Sequence, residues 1–269
     1  MRTTYDFSVC PTCRGCGYVI IQKPAPLVYG DDRLVDFAIP CPDCNGGSAN
    51  RIETAKKLSS IPESFYNKKY ESFKWNIYRD EAGKEIDLSK YQKLVESFLN
   101  KYSDWKESGM GLYIFSKTKG SGKTLLSSCL CNELMELYQI RTKFVSATQL
   151  LDISQSGDKT SMDEYKREPI KLLCNCELLV IDDIGQKKSG YDWMNEILFR
   201  IIDDRMNKKL ITIFTSNLEI EDLTLDDRII ERIKKISMVL RLPEFNVRSR
   251  ESEEEKRKFL KDMGLLERG

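Results

Sequence analysis

A short glycine-rich segment near the middle of the chain constrains the fold more than any other feature. The segment reads Gly120-Ser121-Gly122-Lys123-Thr124, and it lies between an apolar run at 112–116 and a leucine stripe that starts near Leu125. The apolar run predicts a strand and the stripe predicts a helix. Glycines let backbone N–H groups turn inward around phosphates, and the N-terminus of the following helix adds its positive dipole end. Strand, loop and helix in this order therefore predict an α/β fold that binds the phosphates of a nucleotide.

The polar residues of this segment have separate expected tasks. Lys123 would reach the β and γ phosphates, which makes it a catalytic candidate, and the Thr124 hydroxyl would hold Mg²⁺. The candidate nucleotide-binding residues are Lys119, Gly120, Ser121, Gly122, Lys123, Thr124 and Leu125. The full pattern has glycine at position 117, where this chain has Lys117. The alternative, a Gly-Lys turn in a surface loop, leaves the flanking strand and helix unexplained.

Short apolar strands alternate with helical stretches from residue 109 onward. The predicted strands are 112–116, 142–147, 178–182, 211–215 and 238–242. This alternation predicts a parallel sheet covered on both faces. We expect an ATPase domain over 109–250, preceded by a helical linker region over 51–108 that includes an amphipathic helix at 89–102. The tail, 251–269, begins with a charge run that predicts a solvated helix.

Composition limits the chemistry. The chain has 269 residues, and 43 Lys+Arg against 42 Asp+Glu give a net charge of +1, so no single-sign field draws an anionic partner. There is no histidine, which excludes Ser-His-Asp triads, Cys-His nucleophiles and mixed Cys/His zinc sites. No apolar run approaches the ~20 residues of a spanning helix, and the first residues lack a signal-peptide core. We therefore expect a cytoplasmic protein that makes no use of a membrane.

Two carboxylates follow a buried strand. Residues 178–183 read Leu-Leu-Val-Ile-Asp-Asp, which places Asp182 and Asp183 where the strand ends. The carboxyl ends of parallel strands line the crevice where ligands bind. Asp182 is then expected to hold Mg²⁺ and Asp183 to orient or polarise the attacking water. An Asp that caps the following helix is the alternative, but it accounts for one carboxylate and leaves the second unexplained.

The next strand also ends in polar side chains. Thr215-Ser216-Asn217 puts Asn217 at the same edge of the sheet, where it could hold the water or the γ phosphate. Ser-Asn after a strand is also common turn chemistry. The guanine-reading pattern Asn-Lys-x-Asp is absent, since Asn207-Lys208-Lys209 is followed by Leu210. ATP with Mg²⁺ is therefore the expected ligand.

Cysteines cluster near the N-terminus. Cys10-Pro-Thr-Cys13 and Cys41-Pro-Asp-Cys44 are two C-x-x-C knuckles, each followed by glycines. Four thiolates in tetrahedral geometry suit Zn²⁺, so we expect a small four-cysteine zinc-binding module over 1–50. A redox dithiol would need only one pair. Cys16 is a fifth thiol that could replace a ligand. The remaining cysteines, expected in the core, are Cys129, Cys131, Cys174 and Cys176.

Taken together, the ordered motifs resemble the DnaC/DnaI-type replicative helicase loaders and the related IstB transposition helpers. The segments that carry the resemblance are 61–65, 111–115, 120–124, 179–185, 215–217 and 227–232. The resemblance runs from about 60 to 250 and implies an AAA+ fold with sheet order 5-1-4-3-2. It further implies ATP-dependent self-association and delivery of a DnaB-type ring helicase onto single-stranded DNA. This chain departs from the pattern at Lys117 and at Asp183, where AAA+ proteins usually carry Glu. The cysteine knuckles resemble the zinc repeats of DnaJ chaperones.

The same resemblance assigns roles to arginines. In AAA+ assemblies an arginine of the neighbouring subunit reaches the γ phosphate, and motif order favours Arg232 for this role, with Arg228 second. Arg250 resembles the arginine that contacts nucleotide within the same subunit, and Arg248 fits nearly as well. Two other functions stay open. One is a transposition helper that acts on double-stranded DNA, and the other is a nucleotide-gated adaptor that binds ATP with little hydrolysis.

Overall fold

The computed structural model describes residues 12, 18–24, 34–43, 48–155, 167–185 and 191–263. The chain divides into two compact units, Met1–Leu58 and Ser59–Gly269. Among the cysteines of the predicted zinc module, Cys41 is described, and Cys10, Cys13, Cys16 and Cys44 lie outside the described residues. Across the described ranges, no helix has the length and apolarity needed to span a bilayer.

The first unit contains a two-stranded hairpin. Strand β1 (Tyr18–Pro24) pairs in antiparallel fashion with β2 (Leu34–Pro40), and the register places Tyr18 opposite Pro40. Helix α1 (Ser48–Ser59) follows the hairpin. The hairpin therefore brings the chain just after the first cysteine knuckle beside the chain that leads into the second.

The second unit is built on a five-stranded parallel sheet. Its strands are β3 (Gly111–Phe115), β4 (Thr142–Ser146), β5 (Leu178–Asp182), β6 (Ile211–Ser216) and β7 (Ser237–Arg241). They lie in the order β4-β5-β6-β3-β7, and every neighbouring pair is parallel. Numbered within this sheet and read from the β7 edge, the order is 5-1-4-3-2. The parallel sheet and the strand order implied by the resemblance are both confirmed, and the predicted strands are shifted by at most one residue at either end.

Helices cover the sheet. They are α2 (Ser89–Asn100), α3 (Tyr102–Ser108), α4 (Lys123–Tyr138), α5 (Ala147–Gln155), α6 (Arg167–Asn175), α7 (Tyr191–Asn207), α8 (Asp227–Ile236) and α9 (Val247–Asp262). Short 3-10 helices lie at Glu63–Phe65, Tyr70–Ser72, Trp75–Ile77 and Ile220–Asp222. The helix predicted over 89–102 ends early, because Lys101 leaves the helical region with φ −119 and ψ 34 and a second helix begins after it.

Two of the three inner strands, β3 and β6, are buried along their whole length. Every residue of β3 and of β6 is buried, as a sheet covered on both faces requires. Each fully buried Leu or Ile contributes about 1.5–3 kcal/mol through the hydrophobic effect. Four cysteines predicted to be core residues are buried, namely Cys129, Cys131, Cys174 and Cys176. The sheet edge at which the polar residues gather is therefore supported by a packed core.

Candidate nucleotide-binding site

The loop between β3 and α4 has the backbone conformation that its glycines predict. Gly120 and Gly122 have φ angles of 75° and 95°, in the left-handed region that favours glycine. A Cβ on Gly120 would lie 2.6 Å from Oδ1 of Asn246. Within the described residues, Lys117 is not among those with positive φ. The departure from the pattern at this position therefore causes no backbone strain.

The Lys123 side chain is folded back into this loop. Its Nζ donates to the carbonyl oxygens of Ser116 at 3.1 Å and Thr118 at 3.0 Å, and to Oγ of Ser121 at 3.2 Å. Burial lowers the pKa of Lys123, whereas the nearby carboxylates, Asp183 first among them, act in the opposite direction. Phosphate oxygens could take the place of the loop's own oxygens around this ammonium group.

Thr124 and Asp182, the two residues expected to hold Mg²⁺, lie in contact with each other. Oγ1 of Thr124 lies 3.1 and 3.2 Å from the two carboxylate oxygens of Asp182. Burial raises the pKa of Asp182, and hydrogen bonds from Thr215 and Thr124 oppose that rise. Hydroxyl and carboxylate oxygens are the ligands that Mg²⁺ prefers, and a cation would offset the buried charge. The residues present therefore fit a magnesium ion bound together with nucleotide phosphates.

Asp183 is held in an unusual backbone conformation. Its φ is 57°, and its N–H donates to Oγ1 of Thr215 at 2.9 Å. Nδ2 of Asn217 donates to Oδ1 of Asp183 at 2.8 Å, and Ser216 Oγ donates to the carbonyl oxygen of Ile184 at 2.7 Å. A non-glycine residue in a sparsely populated conformation costs of order 1–3 kcal/mol and persists only where its surroundings hold it firmly. The last two residues of β6 and the residue after it thus hold Asp183 and Ile184 in this conformation.

Thr215 contacts both acidic residues, and the sequence analysis did not single it out. Its hydroxyl donates to Oδ1 of Asp182 at 2.6 Å and accepts the N–H of Asp183. One side chain therefore positions both acidic residues. The available signal was its place at the end of a buried strand, directly before Ser216 and Asn217, but that place did not reveal the direction of its side chain.

An aromatic wall beside the loop was also not predicted. The Tyr78 hydroxyl donates to the carbonyl oxygen of Ser121 at 2.8 Å, and its ring centroid lies 6.0 Å from that of Phe245. Phe73 stands next to Tyr78 and contacts Trp75, with ring centroids 4.8 Å apart. These rings come from the segment before the sheet and from the segment after β7, so local sequence patterns gave no signal for them.

The predicted arginines fall into two groups. Arg228 and Arg232 form a separate cluster on α8, where both guanidinium groups lie over the Phe199 ring, at 4.9 and 4.4 Å from its centroid. On α9, the N–H of Arg248 donates to the carbonyl oxygen of Gly120 at 3.2 Å, whereas the Arg250 guanidinium lies 6.0 Å from the Phe245 ring. Of the two arginines considered on α9, Arg248 is therefore the one that forms a backbone hydrogen bond to the phosphate loop.

The phosphate loop, the acidic strand end and the strand order can now be compared with known proteins. The family model for the bacterial DnaA ATPase domain matches residues 98–239, which is more than half of the chain. The chain belongs to this family. As an AAA+ ATPase domain, it has the five-stranded parallel sheet and the strand order that the resemblance implied.

The chain is also similar to curated helicase loaders, and its fold is similar to that of a solved structure. The replicative helicase loader DnaC of Escherichia coli strain K12 is 32% identical over 163 residues, which span 58% of this chain and 61% of the relative. The replicative helicase loader DnaI of Bacillus subtilis strain 168 is 26% identical over 227 residues, 80% of this chain and 65% of the relative. A crystal structure of DnaI superposes with a TM-score of 0.56 at 22% identity, covering 68% of this chain and 95% of that chain. The chain therefore spans less than two thirds of the length of these curated relatives.

Proposed function

We propose that the chain binds ATP with Mg²⁺, hydrolyses it, and uses this cycle to load a replicative ring helicase onto single-stranded DNA. The observation that carries the ATPase part is the contact of Thr124 with Asp182 beside Asp183, which Asn217 holds in place. The helicase part rests on the likeness to the named loaders. Hydrolysis requires a metal site, a base and a group that fixes the base, and in this proposal Thr124 with Asp182, Asp183 and Asn217 supply them in that order.

In this proposal each residue has one role in the reaction. Lys123 binds the β and γ phosphates, and Thr124 with Asp182 holds Mg²⁺, which neutralises charge on the phosphate oxygens. Asp183 accepts the proton of a water whose oxygen attacks the γ phosphorus, while the bond from that phosphorus to the bridging oxygen breaks and ADP leaves. Asn217 keeps the Asp183 carboxylate in place. Arg250 or Arg248 contacts the nucleotide from α9.

The partner proposal predicts ATP-dependent capture of a helicase. Immobilised chain should retain a purified DnaB-type hexamer in the presence of Mg-ATP, and Lys123→Ala should lose most of this retention because it binds nucleotide weakly. Lys90→Ala, which changes an exposed lysine on α2, is the matched control and should behave like the unmodified chain. A loading assay with circular single-stranded DNA then measures helicase transfer.

Other outcomes of this experiment point to the other functions. ATP-dependent binding to double-stranded DNA without helicase capture would favour a transposition helper. Helicase capture with tight ATP binding but no turnover, even with single-stranded DNA present, would favour a nucleotide-gated adaptor. Capture of the hexamer that is independent of nucleotide would contradict the proposed cycle.

We also propose that the N-terminal unit binds one zinc ion through Cys10, Cys13, Cys41 and Cys44. Thr12 and Asp43 take the same place in the two knuckles, and their side chains form a hydrogen bond to each other. The β1–β2 register supports the same proximity, because Tyr18 lies opposite Pro40. Among the described residues no group of three or more potential ligands is found, and three of the four proposed ligands lie outside them.

Metal analysis tests this site. Freshly purified chain should contain one equivalent of zinc. Cys41→Ser should reduce the zinc content to near zero, because a site with three thiolate ligands binds Zn²⁺ far more weakly than a site with four. Cys129→Ala, which changes a buried cysteine of α4, should keep its zinc. Absence of zinc from the unmodified chain, with the metal not restored by adding it under reducing conditions, would contradict the module.

A further inference from the structure

One carboxylate close to the nucleotide site has no part in the proposed mechanism. Glu244 follows β7, and its two oxygens accept hydrogen bonds from the start of the phosphate loop. Oε1 accepts the N–H of Lys117 at 3.1 Å, and Oε2 accepts the N–H of Thr118 at 2.7 Å. Oε2 also lies 2.9 Å from Thr118 Oγ1 and 3.3 Å from Ser116 Oγ. Burial tends to raise the pKa of Glu244, but these hydrogen bonds outweigh it and the pKa is lowered.

Ion pairs connect the start of the phosphate loop and Glu244 to the loop that follows β6. Nζ of Lys117 lies 3.6 Å from Oε1 of Glu219, on the loop that follows Asn217. Arg241 lies 3.9 Å from Glu219 and 3.9 Å from Glu244. These ion pairs are long and their side chains are between 37% and 58% exposed, so each contributes little by itself. The backbone hydrogen bonds to Glu244 carry most of the effect.

We propose that Glu244 is a positioning residue for nucleotide binding, which braces the start of the phosphate loop where the usual glycine is replaced by Lys117. This proposal rests on the proposed ATP binding. Glu244 holds residues 116–118, and the carbonyl oxygens of Ser116 and Thr118 in turn accept hydrogen bonds from Lys123. The brace therefore acts on Lys123 through the loop backbone, and it makes no contact with the phosphates itself.

The geometry explains why a carboxylate is needed here. Two backbone N–H groups point at two different oxygens, so both oxygens must be acceptors. In Glu244→Gln the side-chain amide would offer one oxygen and one NH₂ group, and one loop N–H would face another donor. Loss of one charge-assisted hydrogen bond of this kind should weaken nucleotide binding by about tenfold. Glu244→Asp keeps both oxygens on a shorter side chain, so it should recover part of the affinity.

The test combines nucleotide affinity with amide hydrogen exchange on the full chain. Glu244→Gln should bind a fluorescent ADP about tenfold more weakly, and its amides at 117 and 118 should exchange faster in the absence of nucleotide. For hydrolysis, KM should rise with kcat little changed, because the hydrogen bonds that Glu244 accepts come from residues 116–118 of the loop and not from the proposed base. Glu253→Gln, an identical change at an exposed position of α9, should match the unmodified chain in every measurement.

The outcomes separate the brace from the proposed function. Normal ADP affinity and normal exchange in Glu244→Gln would overturn the brace, and so would an equal loss in Glu253→Gln, since that would be a general charge effect. Should Glu244→Gln fail to fold, Glu244→Ala, which removes both acceptor oxygens, would overturn the brace by showing the affinity and exchange of the unmodified chain. Failure of the unmodified chain to bind ADP would instead overturn the proposed ATP binding.

Discussion

Asp183→Asn is expected to remove most ATP hydrolysis while leaving Mg-ATP binding intact. The substitution takes away the carboxylate that accepts the proton of the attacking water, and general base catalysis contributes roughly 10²–10⁴-fold to a rate. Thr124 and Asp182, which hold the metal in our proposal, are unchanged. Asn also tolerates the left-handed conformation, so the φ of 57° at this position should persist.

Phosphate release and nucleotide affinity, measured on the same preparations, check this prediction. Lys123→Ala serves as the contrasting variant, because it should lose binding itself. Asp222→Asn, an exposed carboxylate on the short helix after β6, should keep full turnover. Turnover by Asp183→Asn at the rate of the unmodified chain, with single-stranded DNA present, would show that Asp183 is not the base.

Much of this site could be predicted because its parts obey local rules. Parallel strands end at one edge of a sheet, so a loop after the first strand and carboxylates after the third had to lie near each other. The Thr124 hydroxyl and the Asp182 carboxylate lie 3.1 Å apart at this edge. The backbone conformation of the loop glycines was also predictable, because a turn around phosphates needs positive φ angles at such positions.

The unpredicted parts depend on contacts between distant segments. Glu244 reaches Thr118 across a separation of 126 residues, and Tyr78 reaches Ser121 across 43. No spacing rule relates such positions. The core shows the same limit, since Arg205 is fully buried and donates to the Thr212 hydroxyl and to backbone carbonyl oxygens. An arginine on a helix predicts a solvated side chain, and only the completed packing shows otherwise.

The two arginines of α8 present the remaining question of mechanism. Like charges four residues apart cost a few tenths of a kcal/mol in an isolated helix. In the folded chain Arg232 donates from Nε to Asp203 at 2.7 Å, and Arg228 pairs with Asp226 at 3.0 Å. Hydrogen bonds from Arg228 lower the pKa of Asp226 to about 2, so this carboxylate stays ionised well below neutral pH. Local partners thus offset the repulsion.

These contacts also distinguish the two side chains. The Arg232 side chain is 25% exposed and the Arg228 side chain is 68% exposed. Both guanidinium groups are held by a carboxylate, Arg232 by Asp203 and Arg228 by Asp226, and Arg228 is the more accessible to a neighbouring molecule. An arginine that acts on the nucleotide of another subunit needs both a fixed orientation and access to that subunit. We keep Arg232 as the first candidate because the motif order of the resemblance favours it, with Arg228 as the second.

If Arg232 completes the active site of a neighbouring subunit, Arg232→Ala should bind ATP normally and hydrolyse it about 10³-fold more slowly. Loss of the pair with Asp203 could also loosen the packing of α8 on α7. Arg232→Lys addresses this, because it keeps a charge beside Asp203 but lacks the planar fork that stabilises transferring phosphate. Hydrolysis should therefore stay low in Arg232→Lys while its melting temperature returns toward that of the unmodified chain.

Mixing two inactive variants decides whether the arginine acts between subunits. Lys123→Ala has an intact Arg232 but no working nucleotide site, and Arg232→Ala has the reverse. A mixed interface can pair the intact site of one subunit with the intact arginine of the other, so the mixture should recover part of the turnover, measured with helicase and single-stranded DNA present. Full activity of both Arg232→Ala and Arg228→Ala would refute the assignment. Specific turnover that does not change with protein concentration would indicate that a single chain completes its own site, because an active site shared between subunits must be lost when the assembly dissociates.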